Sequence, residues 1–373
     1  MHIGVPAEIK TAERRVGLTP GSVNELVRRG HQVTVQSGAG HGIGADDATY
    51  QAAGAHIAED AASVFAAADM VVKVKEPQPT ETAMLRRDQI LFTYLHLAPD
   101  PVQADGLIAS EAICIAYETV TDDRGRLPLL APMSAVAGRL ATQAAAVSLE
   151  SPRGGSGVLM GGVPGVPGAD VVVIGGGVVG ENAAEIAIGM GARVTVLDRN
   201  PAVLEHLEQR FGAGITTVYS TTDAIERTVA AADAVIGAVL IPGARAPRLV
   251  TEDMVRTMRA GSVLVDVAID QGGAFETSRP TTHADPTFVV HDVVHYCVAN
   301  MPGAVPRTST EALTNATLPY LLRLADHGPV AALQADPGFL AGLNVYRGEL
   351  TEPGVAEAQG RDWVDPAAAL AAG

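Results

Sequence analysis

Residues 169–180 read Ala169-Asp170-Val171-Val172-Val173-Ile174-Gly175-Gly176-Gly177-Val178-Val179-Gly180, and this stretch decides the fold. A strand is expected over 169–174, whose run from Val171 to Ile174 is β-branched and apolar throughout, the composition of a strand buried on both faces. Gly175, Gly177 and Gly180 then match G-x-G-x-x-G, and helical periodicity continues from Gly180 to Met190. The spacing alone says little in a chain with 40 glycines among 373 residues. Its place between an apolar strand and a helix makes it specific, because main-chain N–H groups and the helix N-terminus then face a pyrophosphate. The next strand, over 193–197, ends at Asp198, 18 residues past Gly180. A carboxylate there accepts hydrogen bonds from the adenosine ribose hydroxyls and repels a 2′-phosphate, so NAD is expected over NADP. The plainer alternative is that the glycines only permit close strand–helix packing and that Asp198 caps the following helix. The adjacent Arg199 is a cation that tolerates a phosphate.

Outward from this turn, a helix is expected over 201–210 and strands near Ile215, over 234–239 and over 262–267, a β-α-β-α-β order. Upstream, an Ala-rich helix over 134–149 reads as the connector between domains, and the Gly/Pro-rich residues 150–167 read as a loop. The N-terminal part alternates in the same way. Strands are expected over 2–5, 31–36, 70–75, 89–95 and 112–116, with helices over 21–29 and 61–67. This alternation builds mainly parallel, helix-covered α/β sheets. Residues 310–325 return to helical periodicity too late for the central sheet, so the C-terminus is expected to pack back on the first domain, with an Ala-rich tail over 365–373 that frays.

Composition excludes several function classes. Hydrophobic residues make up 47%, yet no apolar run reaches the roughly 20 residues that span a bilayer. The N-terminus MHIGVPAEIK lacks the basic and long apolar regions of a signal peptide, so a cytoplasmic protein is expected. A net charge of −16 argues against nucleic acid or anionic lipid as partner. Cys114 and Cys297 are too few for a disulfide framework and read as buried free thiols.

The 26 cations divide into 23 Arg and only Lys10, Lys73 and Lys75. Lys73 and Lys75 alternate in VVKVK and so share one strand face, where a buried ammonium is expensive without a partner or a task. A strand end with both amines in solvent is the alternative. His96 ends the apolar run QILFTYL, and carboxyl ends of parallel strands line the crevice where α/β proteins bind ligands. The other nine histidines read as structural or solvated. Asp270 follows the apolar run SVLVDVAI and precedes Gly272 and Gly273, which suits either an acid/base group or a turn-stabilising carboxylate. Of Arg14 and Arg15 after the first strand, one guanidinium can clamp a carboxylate bidentately, or both are solvated.

Taken together, the blocks VPAEIKTAERRVGLTP, VKVKEP, LFTYLHLA, LPLLAPMSAVAGRLA, GGVPGV, VVVIGGGVVGENAA, VDVAIDQGG and CVANMPGAVPRTSTEALTNATLPY closely resemble the bacterial NAD-dependent L-alanine dehydrogenase family over nearly the whole chain. Its wider superfamily includes the NAD-binding subunit of proton-translocating transhydrogenase and lysine-forming saccharopine dehydrogenase. The resemblance implies two Rossmann-like doubly wound α/β domains. A discontinuous substrate domain would occupy 1–128 and 307–373 and an NAD domain 129–306, with the active site between them. It implies reversible oxidative deamination of L-alanine to pyruvate and ammonium. An NAD-binding module of a transhydrogenase, or amination of another small oxo-acid such as glyoxylate, are the alternatives.

Carried over residue by residue, the resemblance implies that Arg15 and Lys75 hold the substrate and that His96 and Asp270 act as acid/base groups. The implied cofactor contacts are Ser134, the turn Gly175, Gly177, Val178, Val179 and Gly180, then Asp198, Ser220, Val239, Leu240, Val267, Ala268, Ile269, Asp270, Arg279, Val298, Ala299, Asn300 and Met301. It further implies small-molecule partners only, and a homohexamer. Three positions depart from the family pattern. Ala135 stands where Glu is common, Val203 where a basic residue can lie near the ribose, and Arg323 one turn before His327 where some relatives place a magnesium-ligating acid. An Arg cannot ligate, so no metal is expected.

Overall fold

The structure, a computed structural model, describes residues 1–239 and 246–372. Its strands in chain order are β1 (His2–Val5), β2 (Gln32–Gln36), β3 (His56–Ala58), β4 (Met70–Val72), β5 (Ile90–Thr93), β6 (Ile113–Ala116), β7 (Asp170–Ile174), β8 (Arg193–Asp198), β9 (Ile215–Tyr219), β10 (Ala234–Gly237), β11 (Val263–Asp266), β12 (Thr287–Val290), β13 (Val293–Tyr296), β14 (Leu343–Tyr346) and β15 (Glu349–Leu350). The chain divides into two compact units, Met1–Pro132 with Val305–Gly373, and Met133–Ala304.

The second unit is a seven-stranded sheet in the order β12-β13-β11-β10-β7-β8-β9. All its pairings are parallel except that of β12 with β13. Both faces are covered. Val171 and Val173 of β7 enter one apolar cluster with Val194, Val196, Ile236 and Val265, while Val172 and Ile174 enter another with Leu197, Val235 and Leu264. That explains why β7 is apolar at every position after Asp170 and does not alternate. The first unit is an eight-stranded sheet in the order β15-β14-β6-β5-β4-β1-β2-β3, parallel from β1 to β6, with β14 antiparallel to β6 and to β15.

In each sheet the strand order reverses once. β4 pairs with β1 on the side away from β2, and β10 pairs with β7 on the side away from β8. Such a reversal opens a crevice beyond the carboxyl ends of the strands, and this is where open α/β sheets bind ligands. Both sheets are therefore doubly wound and Rossmann-like.

Several elements differ from the sequence expectation. The strand expected over 70–75 ends at Val72, because the N–H groups of Val74 and Lys75 go to the Glu8 carboxylate and not to a neighbouring strand. The strands expected over 89–95 and 234–239 likewise stop at Thr93 and Gly237. The tail is ordered as a helix, Pro366–Ala372, which buries Ala369 and Leu370 and whose first N–H groups bond to Asp365.

Candidate active site

In the second unit, Gly175 has φ +101°, and a Cβ on Gly180 would lie 1.8 Å from the Gly175 carbonyl oxygen. Side chains are thereby excluded where strand β7 turns into the helix Val178–Gly189. That helix has no side-chain cap at Gly177. Its first N–H groups, which no helix satisfies internally, can therefore meet an anion at this end. Asp198 faces this turn: Oδ2 accepts the Gly176 N–H at 2.7 Å and Oδ1 that of Asn200 at 2.8 Å. The cap of the following helix is Asn200 and not Asp198. Val203 packs under Gly176, where its Cγ1 would sit 2.7 Å from an added Cβ.

The other positions singled out in this unit are arranged by the strands. Ile174 pairs with Leu197 and with Gly237, and Gly237 with Asp266, so the carboxyl ends of four strands are in register. Ser220 follows β9 and its N–H bonds to the Asp198 carbonyl at 2.9 Å. Val239 follows β10, and Leu240 lies outside the described residues. Val267, Ala268, Ile269 and Asp270 form the turn after β11, in which Ala268 and Ile269 are buried and Asp270 is exposed. Val298, Ala299, Asn300 and Met301 follow β13, and the Asn300 N–H donates to Asp270 Oδ2 at 3.3 Å. Arg279 lies 4.0 Å over the ring of Phe288. Ser134 is on the helix Ala131–Ser148.

In the first unit, the functional candidates again follow strand ends. A cavity of about 260 Å³ beyond β1 and β2 is lined in part by Glu8, Glu13, Arg14 and Arg15. Arg15 is only 2% exposed and its guanidinium is gripped by Glu13, Nε to Oε1 at 2.7 Å and Nη2 to Oε2 at 2.5 Å. Burial would lower the guanidinium pKa, but Glu13 outweighs it and raises it.

Lys73 and Lys75 lie beyond the end of β4 and have different surroundings. Lys73 is 0% exposed and bridges two buried carboxylates, Glu8 at 3.0 Å and Glu81 at 2.7 Å. Burial alone would push its ammonium pKa down, and the two carboxylates together hold it up. The solvated reading therefore fails for Lys73, which is a structural cation. Lys75 is half-buried, with its N–H on Glu8 Oε1 at 3.3 Å and its carbonyl on the Thr93 hydroxyl at 2.9 Å. Beside it, Lys10 and Lys75 overcome the effect of burial and hold the Glu76 carboxyl below its ordinary range.

His96 lies three residues past β5 with φ +49° and an exposed ring stacked on Tyr94, centroids 5.7 Å apart. Glu118, just beyond β6, receives the N–H groups of both Leu95 and His96. Elsewhere in the unit, Arg323 pairs with Asp336 at 2.7 Å and stacks on Tyr320. Cys114 and Cys297 are free and buried, and burial pushes the Cys297 thiol up to about 12.

Sequence reasoning missed a recurring device. A carboxylate lies beneath each of four candidate turns: Glu13 under Arg15, Glu8 under Lys75, Glu118 under His96 and Asp266 under the turn bearing Asp270. Only Glu13 and Asp266 are close enough in sequence to their clients to have been noticed there.

Comparison with known proteins bears on the family and the fold. Residues 4–137 match the family model described as alanine dehydrogenase/PNT, N-terminal domain, and residues 141–353 the corresponding C-terminal domain. A curated alanine dehydrogenase of Halomonas elongata is 59% identical over 370 residues, 99% of this chain and 100% of the relative. A solved structure titled L-alanine dehydrogenase superposes with a TM-score of 0.93 at 50% identity, over 96% of this chain and 99% of that one. A transhydrogenase from Sinorhizobium meliloti superposes with a TM-score of 0.80 at 25% identity, over 95% and 99%. With both domain models matched in order and full-length relatives above half identity, the chain belongs to the alanine dehydrogenase/PNT family.

Proposed function

We propose that the chain catalyses the reversible NAD-dependent oxidative deamination of L-alanine: L-alanine, NAD⁺ and water give pyruvate, ammonium, NADH and a proton. The observation that carries this reading is the 59% identity to an alanine dehydrogenase across 99% of the chain. The glycine turn and Asp198 support NAD as the nicotinamide cofactor, since a carboxylate at that position disfavours a 2′-phosphate. Ser134, Ser220, Val239, Leu240, Arg279 and the segments 267–270 and 298–301 would complete its site in a domain over 129–306, with substrate held over 1–128 and 307–373. When bound, the nicotinamide supplies the hydride acceptor.

Around it the side chains divide the remaining work. Arg15, its guanidinium oriented by Glu13, supplies the positive charge for the substrate carboxylate. Lys75 places a compact ammonium at the carbonyl or imine oxygen or nitrogen of the substrate and stabilises charge there. His96 and Asp270 move the protons that accompany loss or addition of ammonia and water. The protein thus supplies orientation and charge, and the hydride chemistry belongs to the cofactor.

The test is NADH oxidation by the purified chain with pyruvate and ammonium, against glyoxylate, larger oxo-acids and NADPH. Pyruvate with NADH is expected to give the highest kcat/KM. Absence of turnover would favour the second reading, a transhydrogenase module, for which the structural likeness at 25% identity speaks. We also read the protein as a cytoplasmic homohexamer from the resemblance of its sequence blocks. Light scattering should then give six times the 38.3 kDa of the chain. No helix among the described residues is long and apolar enough to cross a membrane.

A further inference from the structure

Asp266, the last residue of β11, has 0% exposure. Its Oδ1 accepts the N–H groups of Ala268 at 3.1 Å and Ala274 at 3.2 Å. Its Oδ2 accepts those of Ala274 at 2.9 Å and Phe275 at 3.3 Å, and the Ser278 hydroxyl at 2.6 Å. An ionised carboxylate has about four lone-pair sites, and here they gather donors from both ends of the segment 267–278. The chain between those ends is shaped around the carboxylate. Gly272 and Gly273 have φ +94° and +82°, and a Cβ on Gly273 would lie 2.9 Å from Asp266 Oδ2. Ser278, which donates to Asp266, also accepts from the Cys297 thiol at 3.7 Å. Cys297 immediately precedes the segment 298–301, whose Asn300 N–H meets Asp270. One buried group therefore lies at the root of three segments that carry Asp270, Arg279 and Asn300.

We propose that Asp266 is a positioning residue for the nicotinamide cofactor and for Asp270, fixing both from beneath through the turn 267–278. This rests on the reading of the chain as an NAD-dependent amino-acid dehydrogenase. A carboxylate that only stabilised the fold would affect the melting temperature and leave cofactor affinity alone. One that positions must change affinity and turnover together, since a displacement of reacting groups by about 1 Å can cost about 10²-fold in rate.

Two variants test this. Asp266→Asn keeps the shape but turns an NH₂ towards the N–H donors, and Ser278→Ala removes a single hydroxyl. Asp266→Asn is expected to raise the Kd for NADH, read by fluorescence titration, at least about tenfold, the usual scale of one lost charge-assisted hydrogen bond. It should lower kcat by about 10²-fold while KM for alanine at saturating NAD moves by less than about twofold. Ser278→Ala is expected to change NADH Kd and kcat in the same direction, less strongly and with its melting temperature preserved. It decides the matter should Asp266→Asn not fold. NADH affinity and kcat at wild-type levels in Ser278→Ala and in any folded Asp266→Asn would overturn the proposal, whatever the melting temperatures. A wild-type protein that binds NADH but does not turn over alanine would overturn the functional reading instead, and the NADH titrations would still judge Asp266.

Discussion

Glu118 accepts the main-chain N–H of His96 at 2.5 Å, and the Nδ1 of that imidazole lies 3.7 Å from the same carboxylate oxygen. The contact pins a residue whose φ of +49° lies in the left-handed region. An L side chain there costs roughly 1–2 kcal/mol, so the backbone at His96 is held against its own preference.

Activity and stability should therefore separate at His96. His96→Ala is expected to lose at least about 10²-fold in kcat, the lower end of general acid–base contributions. His96→Gly should be equally inactive yet melt at a higher temperature than His96→Ala, because glycine adopts the left-handed region without strain. Equal melting temperatures would remove the strain argument, and retained turnover would remove the imidazole from the chemistry.

The two neighbouring lysines should respond in opposite ways. Lys73→Met leaves Glu8 and Glu81 buried without their cation and is expected to cost about 3–5 kcal/mol in chemical denaturation. Lys75→Arg should keep the melting temperature within a few degrees but lower kcat/KM by about 10²-fold, since a larger planar fork misplaces the substrate. Comparable losses of stability at both positions would contradict the division.

Asp198→Ser removes the charge expected to repel a 2′-phosphate. The ratio of kcat/KM for NADPH over NADH should rise at least about tenfold, which corresponds to about 1.4 kcal/mol. An unchanged ratio would reduce the Asp198 carboxylate to its bonds with Gly176 and Asn200.

His295 gives the fold an acid-sensitive point. It is fully buried, with Nε2 on the Thr277 hydroxyl at 2.7 Å and Nδ1 on the Val293 carbonyl at 2.9 Å, and burial holds its pKa below the ordinary 6.5. The folded state thus favours the neutral ring. Its contribution is present above pH 6.5 and is lost as the pH falls below that value, by at most about 1.4 kcal/mol per pH unit. His2, also lowered chiefly by burial, acts in the same direction. His295→Gln should therefore flatten the acid decline in melting temperature only in part; an unchanged slope would remove His295 from it.

What could be read in the sequence was what is encoded locally. Gly175 to Gly180 and Asp198 were legible because a turn, a helix start and the end of the next strand lie within one continuous stretch. The charge network around Lys73 was not, since Glu8 is 65 residues away in sequence and nothing in VKVKEP marks which lysine is buried. The ends of β4 and β5 were read too long for the same reason: Glu8 and Glu118, distant in sequence, take N–H groups that would otherwise extend the ladder. The antiparallel strands β14 and β15 were not legible because a short strand after several helices has no repeated pattern to belong to. The ordered tail was missed because alanines signal a helix only once a cap such as Asp365 and a surface for Leu370 are known.

The six parallel strands of each sheet follow the same order about the reversal, yet the turns they carry differ. At the turn after its first strand, one sheet has glycines and an open helix end, and the other has a carboxylate gripping a guanidinium. The same address is thus written once in backbone and once in side chains. A designer moving this chemistry to another doubly wound protein would need to graft a few turns, each with the acid that braces it, and could leave the strands untouched.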